Sequence, residues 1–298
     1  MARVGIAAVS APFGRSLDES LSQIELTVRI ARARGARLVV FPECSLGGYV
    51  DPVPNRTPGP PELSPDGPEI ARLVRLAGPT VVCAGYTEAG PGGRFSSAVC
   101  VSGDGVLGHH RKVHLPPGEK GQFLEGEGFT AFDTPVGRMG MLICYDKCFP
   151  EAARSLALDG ADVIAAMSAW SISKERPSRF VRRDRQTAAF NVLDQARAAE
   201  NQVVWVSANQ TGTFGGLRFL GNSKVVDPEG RVLARTSSRS GVARAVADLN
   251  ALPELRRSIS HLGDRRPAAY DAHLPPIAAA TPMPGGRSGD ADDRLATV

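Results

Sequence analysis

The sequence predicts an α/β protein folded as a layered sandwich with mixed sheets. Three observations carry this expectation. Short β-branched runs dominate, helical patterns are interleaved among them, and several neighbouring runs are joined by hairpin turns instead of long crossovers. A purely parallel, doubly wound sheet would not show the third.

Taken in order, Val4 to Val9 alternates as a first strand. Ser16-Leu-Asp-Glu19 has the form of a capping box. Leu17, Leu21, Ile24, Val28 and Ala31 follow at helical spacing, and Gly35 supplies the stop. Leu38–Phe41 reads as a buried strand broken by Pro42 just before Glu43. Residues 50–68, rich in proline and glycine, read as an ordered surface excursion. Thr80–Tyr86, Phe95–Val101 and Val106–Lys112 are strand-like, the last two joined by the turn Ser102-Gly-Asp-Gly105. Thr134-Pro-Val-Gly137 joins Phe129–Asp133 to Arg138–Cys144. Residues 148–159 look helical and end at Gly160, and Asp162–Met167 looks extended. A long helical pattern covers 177–200, Gln202–Ala208 returns to strand, two strands bracket Asp227-Pro-Glu-Gly230, and Val242–Asp248 follows. No composition break divides residues 1–272; residues 273–298, rich in Pro, Ala, Gly and Asp, are expected to form a tail, flexible or packed on a neighbouring subunit.

Composition narrows the function. The net charge of +4 in 298 residues gives no polyanion-binding signature at the level of the whole chain. Arg176, Arg179, Arg182, Arg183 and Arg185 form the densest basic stretch and read first as a solvated helix face, with a patch for an acidic substrate or partner as the alternative. No aromatic platform accompanies them, so nucleic acid is not expected as a partner. Five cysteines, at 44, 83, 100, 144 and 148, form no disulfide framework. The N-terminal apolar run is brief and lacks a cleavage context, and nothing approaches the ~18 apolar residues of a membrane span. The expectation is a reduced, cytoplasmic protein with no membrane partner.

Three apolar runs end in chemically capable residues: Glu43, Lys112 and Cys144. A thiol attacks as its thiolate, so it needs a base or a positive neighbour, and a buried carboxylate is a good proton acceptor. A fixed ammonium can hold the oxyanion that forms when a carbonyl or nitrile is attacked, and the backbone N–H of Tyr145 is a second candidate donor. Spacing alone leaves a plain alternative open, in which Glu43 and Lys112 form a strand-end ion pair and Cys144 is a buried thiol. A papain-like pairing with His114 and a zinc site built from Cys144, Cys148, His109, His110 and His114 explain less of the sequence, since neither has its ligand or motif framework. Ser171-Ile-Ser-Lys174 matches S-x-x-K without its companion motifs, and no G-x-S-x-G elbow is present.

Phe41-Pro-Glu43, Arg111-Lys-Val-His-Leu115 and Leu142-Ile-Cys-Tyr-Asp146 with Phe149-Pro-Glu151 resemble the three catalytic signatures of the nitrilase superfamily of carbon–nitrogen hydrolases, in the same order. Arg197-Ala-Ala-Glu-Asn201, Asn209, Gly221-Asn-Ser223 and Val226-Asp-Pro-Glu-Gly230 extend the likeness to roughly residues 3–272. The resemblance implies an α-β-β-α sandwich with two mixed sheets, a homodimer or higher homo-oligomer, and a Glu43–Lys112–Cys144 triad that works without metal or cofactor. It also implies a second glutamate after the lysine, for which Glu119 is the candidate and Glu125 and Glu127 compete. Tyr145-Asp146 resembles the amidase and carbamoylase branches, where true nitrilases tend to carry Trp-Glu. The implied substrate is a small amide or carbamoyl compound, with nitriles the poorer alternative. Trp170 is a candidate pocket wall or a packed loop aromatic. Outside catalysis, the alternative is a silent scaffold of the same fold.

Overall fold

A computed structural model of the chain describes residues 3–51 and 59–271. Part of the expected proline-rich excursion (52–58) and the expected tail (273–298) lie outside the described residues.

In chain order the strands are β1 (Arg3–Ala11), β2 (Leu38–Val40), β3 (Glu62–Leu63), β4 (Val81–Gly90), β5 (Gly93–Ser102), β6 (Gly105–Arg111), β7 (Phe132–Thr134), β8 (Gly137–Ile143), β9 (Val163–Ser168) and β10 (Val204–Gln210). After them come β11 (Thr213–Phe214), β12 (Leu217–Arg218), β13 (Lys224–Val226), β14 (Val232–Arg235) and β15 (Gly241–Asp248). The layer-forming helices are α1 (Leu17–Ala33), α2 (Pro68–Ala77), α3 (Pro150–Leu158) and α4 (Arg185–Asn201).

Pairing gives one sheet in the order β6-β5-β4-β2-β1-β15 and a second in the order β7-β8-β9-β10-β13-β14. Both are mixed: β1, β2 and β4 run parallel, as do β8, β9 and β10, while β5, β6, β7 and β14 join as antiparallel hairpin strands and β15 and β13 pair antiparallel with β1 and β10. The sheets meet at one corner, where Ser10 lies opposite Asn209 and Ala11 opposite Gln210.

Strand alternation sorts the apolar residues into three layers. Ile6, Ala8, Val40 and Cys83 of the first sheet face Met141, Ile143, Ala165 and Val206 of the second, forming the central core. Ala7, Val9, Val39 and Val82 point the other way, onto Leu21, Ile24 and Val28 of α1 and Ile70 and Leu73 of α2. Leu142, Ile164 and Trp205 point outward onto Ala152, Ala153 and Leu156 of α3 and Ala198 of α4. The result is an α-β-β-α sandwich, as the sequence led one to expect. The cap on α1 forms as read, with Glu19 N–H donating to Ser16 Oγ at 3.2 Å, and Gly35 leaves the helix at φ +85°.

Three local expectations need correction. The helix expected from 177 starts only at Arg185, because Asp184 takes the N-cap and its carboxylate also accepts the N–H groups of Ser173 (3.0 Å) and Ser178 (2.9 Å). The basic stretch is therefore a loop with one 3₁₀ turn (Val181–Arg183), not a helix face. Residues 144–148 form a separate 3₁₀ turn, and α3 starts behind it with Pro150 in its first turn. The strand expected at Phe129–Asp133 shrinks to Phe132–Thr134: Phe129 stacks on His110 and His114, and Ala131 N–H goes to Asp159 at 2.7 Å.

Candidate active site

Glu43 follows the end of β2, where Phe41 N–H still donates to Cys83 O at 2.9 Å. The chain then turns sharply through Cys44 at φ +52°, and Leu46 N–H returns to Gly85 O at 3.0 Å. This close approach requires Gly85 in β4: a Cβ there would sit 2.6 Å from Cys44 N and 2.9 Å from Glu43 Cα. The Glu43 backbone carbonyl is held by Gln210 Nε2 at 2.9 Å, from the far side of the corner between the sheets.

Lys112 stands just beyond β6, its N–H donating to Ser96 O at 2.8 Å. Its side chain is fully buried, and Nζ donates to Glu43 Oε1 and to Glu119 Oε1, both at 2.7 Å. Tyr49 O–H donates to the same Glu119 oxygen, and Ala169 N–H donates to Glu43 Oε2 at 2.8 Å. At an effective dielectric of ~20, each 2.7 Å ion contact corresponds to roughly 6 kcal/mol of attraction before desolvation. Burial alone would lower the Lys112 ammonium, but Glu119 and Glu43 outweigh it and hold it well above its usual value. Burial raises the Glu119 carboxyl, with Lys112 opposing.

Cys144 directly follows β8 and opens the 3₁₀ turn with φ +48°, a left-handed backbone that costs a β-carbon residue roughly 1–2 kcal/mol. Asp146 makes the turn hold. Its carboxylate accepts Ile143 N–H (3.1 Å), His114 N–H (2.9 Å), His114 Nδ1 (2.9 Å) and His110 Nε2 (3.2 Å). Burial would raise this carboxyl, but the two histidines hold it far below the usual range. His114 is thereby committed to Asp146 and stacks on Phe149 at 3.7 Å between centroids. The Cys144 thiol is pushed well above its ordinary value, first by burial and then by Glu43, with Lys112 and the Ala169 N–H opposing. Burial and the Glu43 charge thus favour the thiol over the thiolate, while Lys112 and the Ala169 N–H favour the thiolate.

Cys144 lies at the inner wall of a cleft of about 350 Å³. Tyr49, Pro116, Tyr145, Trp170 and Leu217 give it apolar walls, and Lys174 and Glu175 stand at its rim. Of the Tyr145-Asp146 pair only Tyr145 reaches the cleft, since Asp146 is fully buried beneath it. Trp170 is pinned on three sides: its N–H donates to Asn209 Oδ1 (2.7 Å), its Nε1 donates to Gln186 (2.9 Å), and its ring meets Phe190 edge-on. Behind it, Lys147 and Lys224 share the buried carboxylate of Asp194, and Lys147 Nζ sits 3.2 Å from the Phe190 centroid. Burial lowers Lys147, and brings Lys224 to about 8.

The structure thus gathers Glu43, Lys112, Glu119 and Cys144 around one point and places Tyr145 and Trp170 on the cleft wall. Glu125 and Glu127 are exposed on the surface, so Glu119 is the second carboxylate of the cluster. Sequence reasoning missed Tyr49, Ala169 and the clamping role of Asn209. Only Leu46-Gly-Gly-Tyr49, a glycine turn straight after Glu43-Cys44, offered a signal. Among the described residues no helix is long and apolar enough to cross a membrane.

A profile of the carbon-nitrogen hydrolase family matches residues 5–257. The nitrilase of Pyrococcus abyssi is 33% identical over 250 residues, covering 83% of this chain and 89% of its own. An (R)-stereoselective amidase of a Pseudomonas species is 33% identical over 256 residues, covering 85% and 88%. The crystal structure of a carbon-nitrogen hydrolase from Helicobacter pylori G27 aligns with a TM-score of 0.79 at 26% identity, covering 90% of this chain and 97% of that one.

Proposed function

The chain belongs to the carbon-nitrogen hydrolase family, and from that premise we propose that it hydrolyses a small linear amide through a thioester on Cys144. Glu43 accepts the thiol proton as sulfur attacks the amide carbon. Lys112 and the Tyr145 N–H hold the tetrahedral oxyanion. Glu43 returns the proton to the departing nitrogen, so ammonia or an amine leaves and the acyl group stays on sulfur. Glu43 then takes a proton from water, and the hydroxide equivalent attacks the thioester. Collapse releases the carboxylic acid, and the proton restores the thiol.

The observation that carries the amide reading is Glu119. Its Oε2 is buried and makes no hydrogen bond among the described residues, while Lys112 and Tyr49 occupy Oε1. An amide nitrogen brings N–H donors that such an oxygen can accept; a nitrile nitrogen brings none. A carbamoyl compound presents the same H₂N–C=O end and is served by the same groups. The cleft, near the lower end of the ligand-pocket range, favours a short substrate. Five free thiols fit a reducing, cytoplasmic setting, and the exposed Leu158 and Val192 on α3 and α4 support a homodimer through that helical layer.

Ammonia release across aliphatic amides, dicarboxylic monoamides, carbamoyl amines and nitriles tests the reading. Cys144→Ala should remove all turnover while leaving the circular dichroism spectrum intact. Near-normal turnover by that variant sinks the mechanism, and nitriles turned over faster than every amide sink the substrate class.

A further inference from the structure

A second cavity, larger than the cleft that holds Cys144, is formed by the described residues. About 750 Å³ in volume, it lies on the other side of the loop that follows Trp170. Five arginines line it: Arg179, Arg182 and Arg183 from the loop, Arg218 from β12 and Arg235 from β14. No aspartate or glutamate is among its lining residues. None of the five makes an ion pair with a described residue, so within the cavity their charges are balanced by no neighbouring carboxylate. Asn222 stands in the wall with only 8% of its surface exposed, fixed at φ +63° by its N–H to Ser237 O at 3.0 Å.

Like charges crowded into a concave site repel one another, and a cleft of one sign focuses its field on an incoming counter-charge. Guanidinium groups approaching from three segments match the paired oxygens of phosphate and carboxylate groups. The hollow shape and its single exposed aromatic, Phe180, which Arg179 and Arg183 already flank, suit a compact ligand over an extended strand of nucleic acid. Substrate enters elsewhere: Leu217 faces the catalytic cleft while the next residue, Arg218, faces this cavity.

We propose that this cavity is a second ligand site, separate from the catalytic cleft, that binds a small organic polyanion carrying phosphate or clustered carboxylate groups. The site does not depend on which amide Cys144 turns over. The balanced net charge of the chain conceals it, because Arg218 and Arg235 join the loop arginines only on folding.

Isothermal titration of the full chain with pyrophosphate and with citrate in low salt tests it, with acetate as the monovalent control. Saturable binding of about one pyrophosphate or citrate per chain is expected, and the tighter of the two identifies the oxyanion chemistry. Arg182→Gln with Arg235→Gln, taken from two walls, should weaken that binding at least tenfold, and Cys144→Ala should leave it unchanged. Absence of saturable binding by either anion overturns the proposal. So does binding that survives the double substitution, or binding that vanishes in Cys144→Ala. If the double substitution instead splits an oligomer in sedimentation velocity while neither anion binds, the arginines serve contact between copies and the proposal also fails.

Discussion

Replacing Glu119 by glutamine probes the catalytic cluster with almost no change of shape. Glu119 is fully buried and receives both Lys112 Nζ, at 2.7 Å, and Tyr49 O–H on one oxygen. The substitution keeps an acceptor for these donors and removes one negative charge. Of the roughly 6 kcal/mol of gross attraction in the Lys112 contact, losing even half would amount to about 3 kcal/mol, or on the order of 100-fold in rate. Ammonia release by Glu119→Gln is therefore expected to fall by at least ~100-fold, within the range of general acid–base groups. A second readout should move the other way. Glu119 is one of the charges that push the Cys144 thiol up, so its neutralisation makes the thiol more acidic. Alkylation of Cys144 by iodoacetamide at pH 7.5 should accordingly speed up while turnover collapses. Turnover within about tenfold of the parent, or alkylation that slows together with turnover in a folded protein, would refute the reasoning.

Gly85→Ala is expected to damage the site from behind the base. Its Cβ must displace backbone at Glu43 and Cys44, so a stability loss of about 1–3 kcal/mol and a lower kcat should appear together in thermal melts and rate assays; an unchanged kcat would mean that Glu43 tolerates the shift. The pH dependence of Cys144 alkylation follows from the direction of its shift. Because the folded pKa is raised, the thiolate is scarcer than in free cysteine at any pH below the shifted value. The alkylation rate should still be climbing at about pH 10, where an ordinary thiol of pKa ~8.5 has levelled off, and a plateau at or below that pH would contradict it.

Much of this molecule is legible in its sequence, for a physical reason. Glu43, Lys112 and Cys144 each end an apolar run, and in a buried sheet such ends are where polar side chains emerge. The Ser16 cap and the turns at Ser102–Gly105 and Thr134–Gly137 are local, so they read correctly. The helix placed too early at 177 shows what happens when composition is read without its cap. Arginine and glutamine favour a helix, but Asp184 spends its carboxylate gathering three N–H groups and sets the start eight residues later, at Arg185. Tyr49 on Glu119, Ala169 on Glu43 and Asn209 on Trp170 are pairings across 70, 126 and 39 positions. Residue types alone do not reveal such partners. Asp146 carries a related lesson: beside the nucleophile it resembled a substrate-class marker, yet its oxygens are occupied with holding the turn.

The corner where Ser10 and Ala11 meet Asn209 and Gln210 has a consequence for how the protein comes to life. Glu43, Lys112 and Glu119 all belong to the amino-terminal sheet and its loops, while the Cys144 sulfur and the Ala169 N–H belong to the carboxy-terminal sheet. Neither half alone holds a reactive centre. Under the proposed mechanism the chain is built like a two-key lock: a thiol on a partly made or misassembled molecule would have no Glu43 beside it, and turnover would certify that both halves have docked.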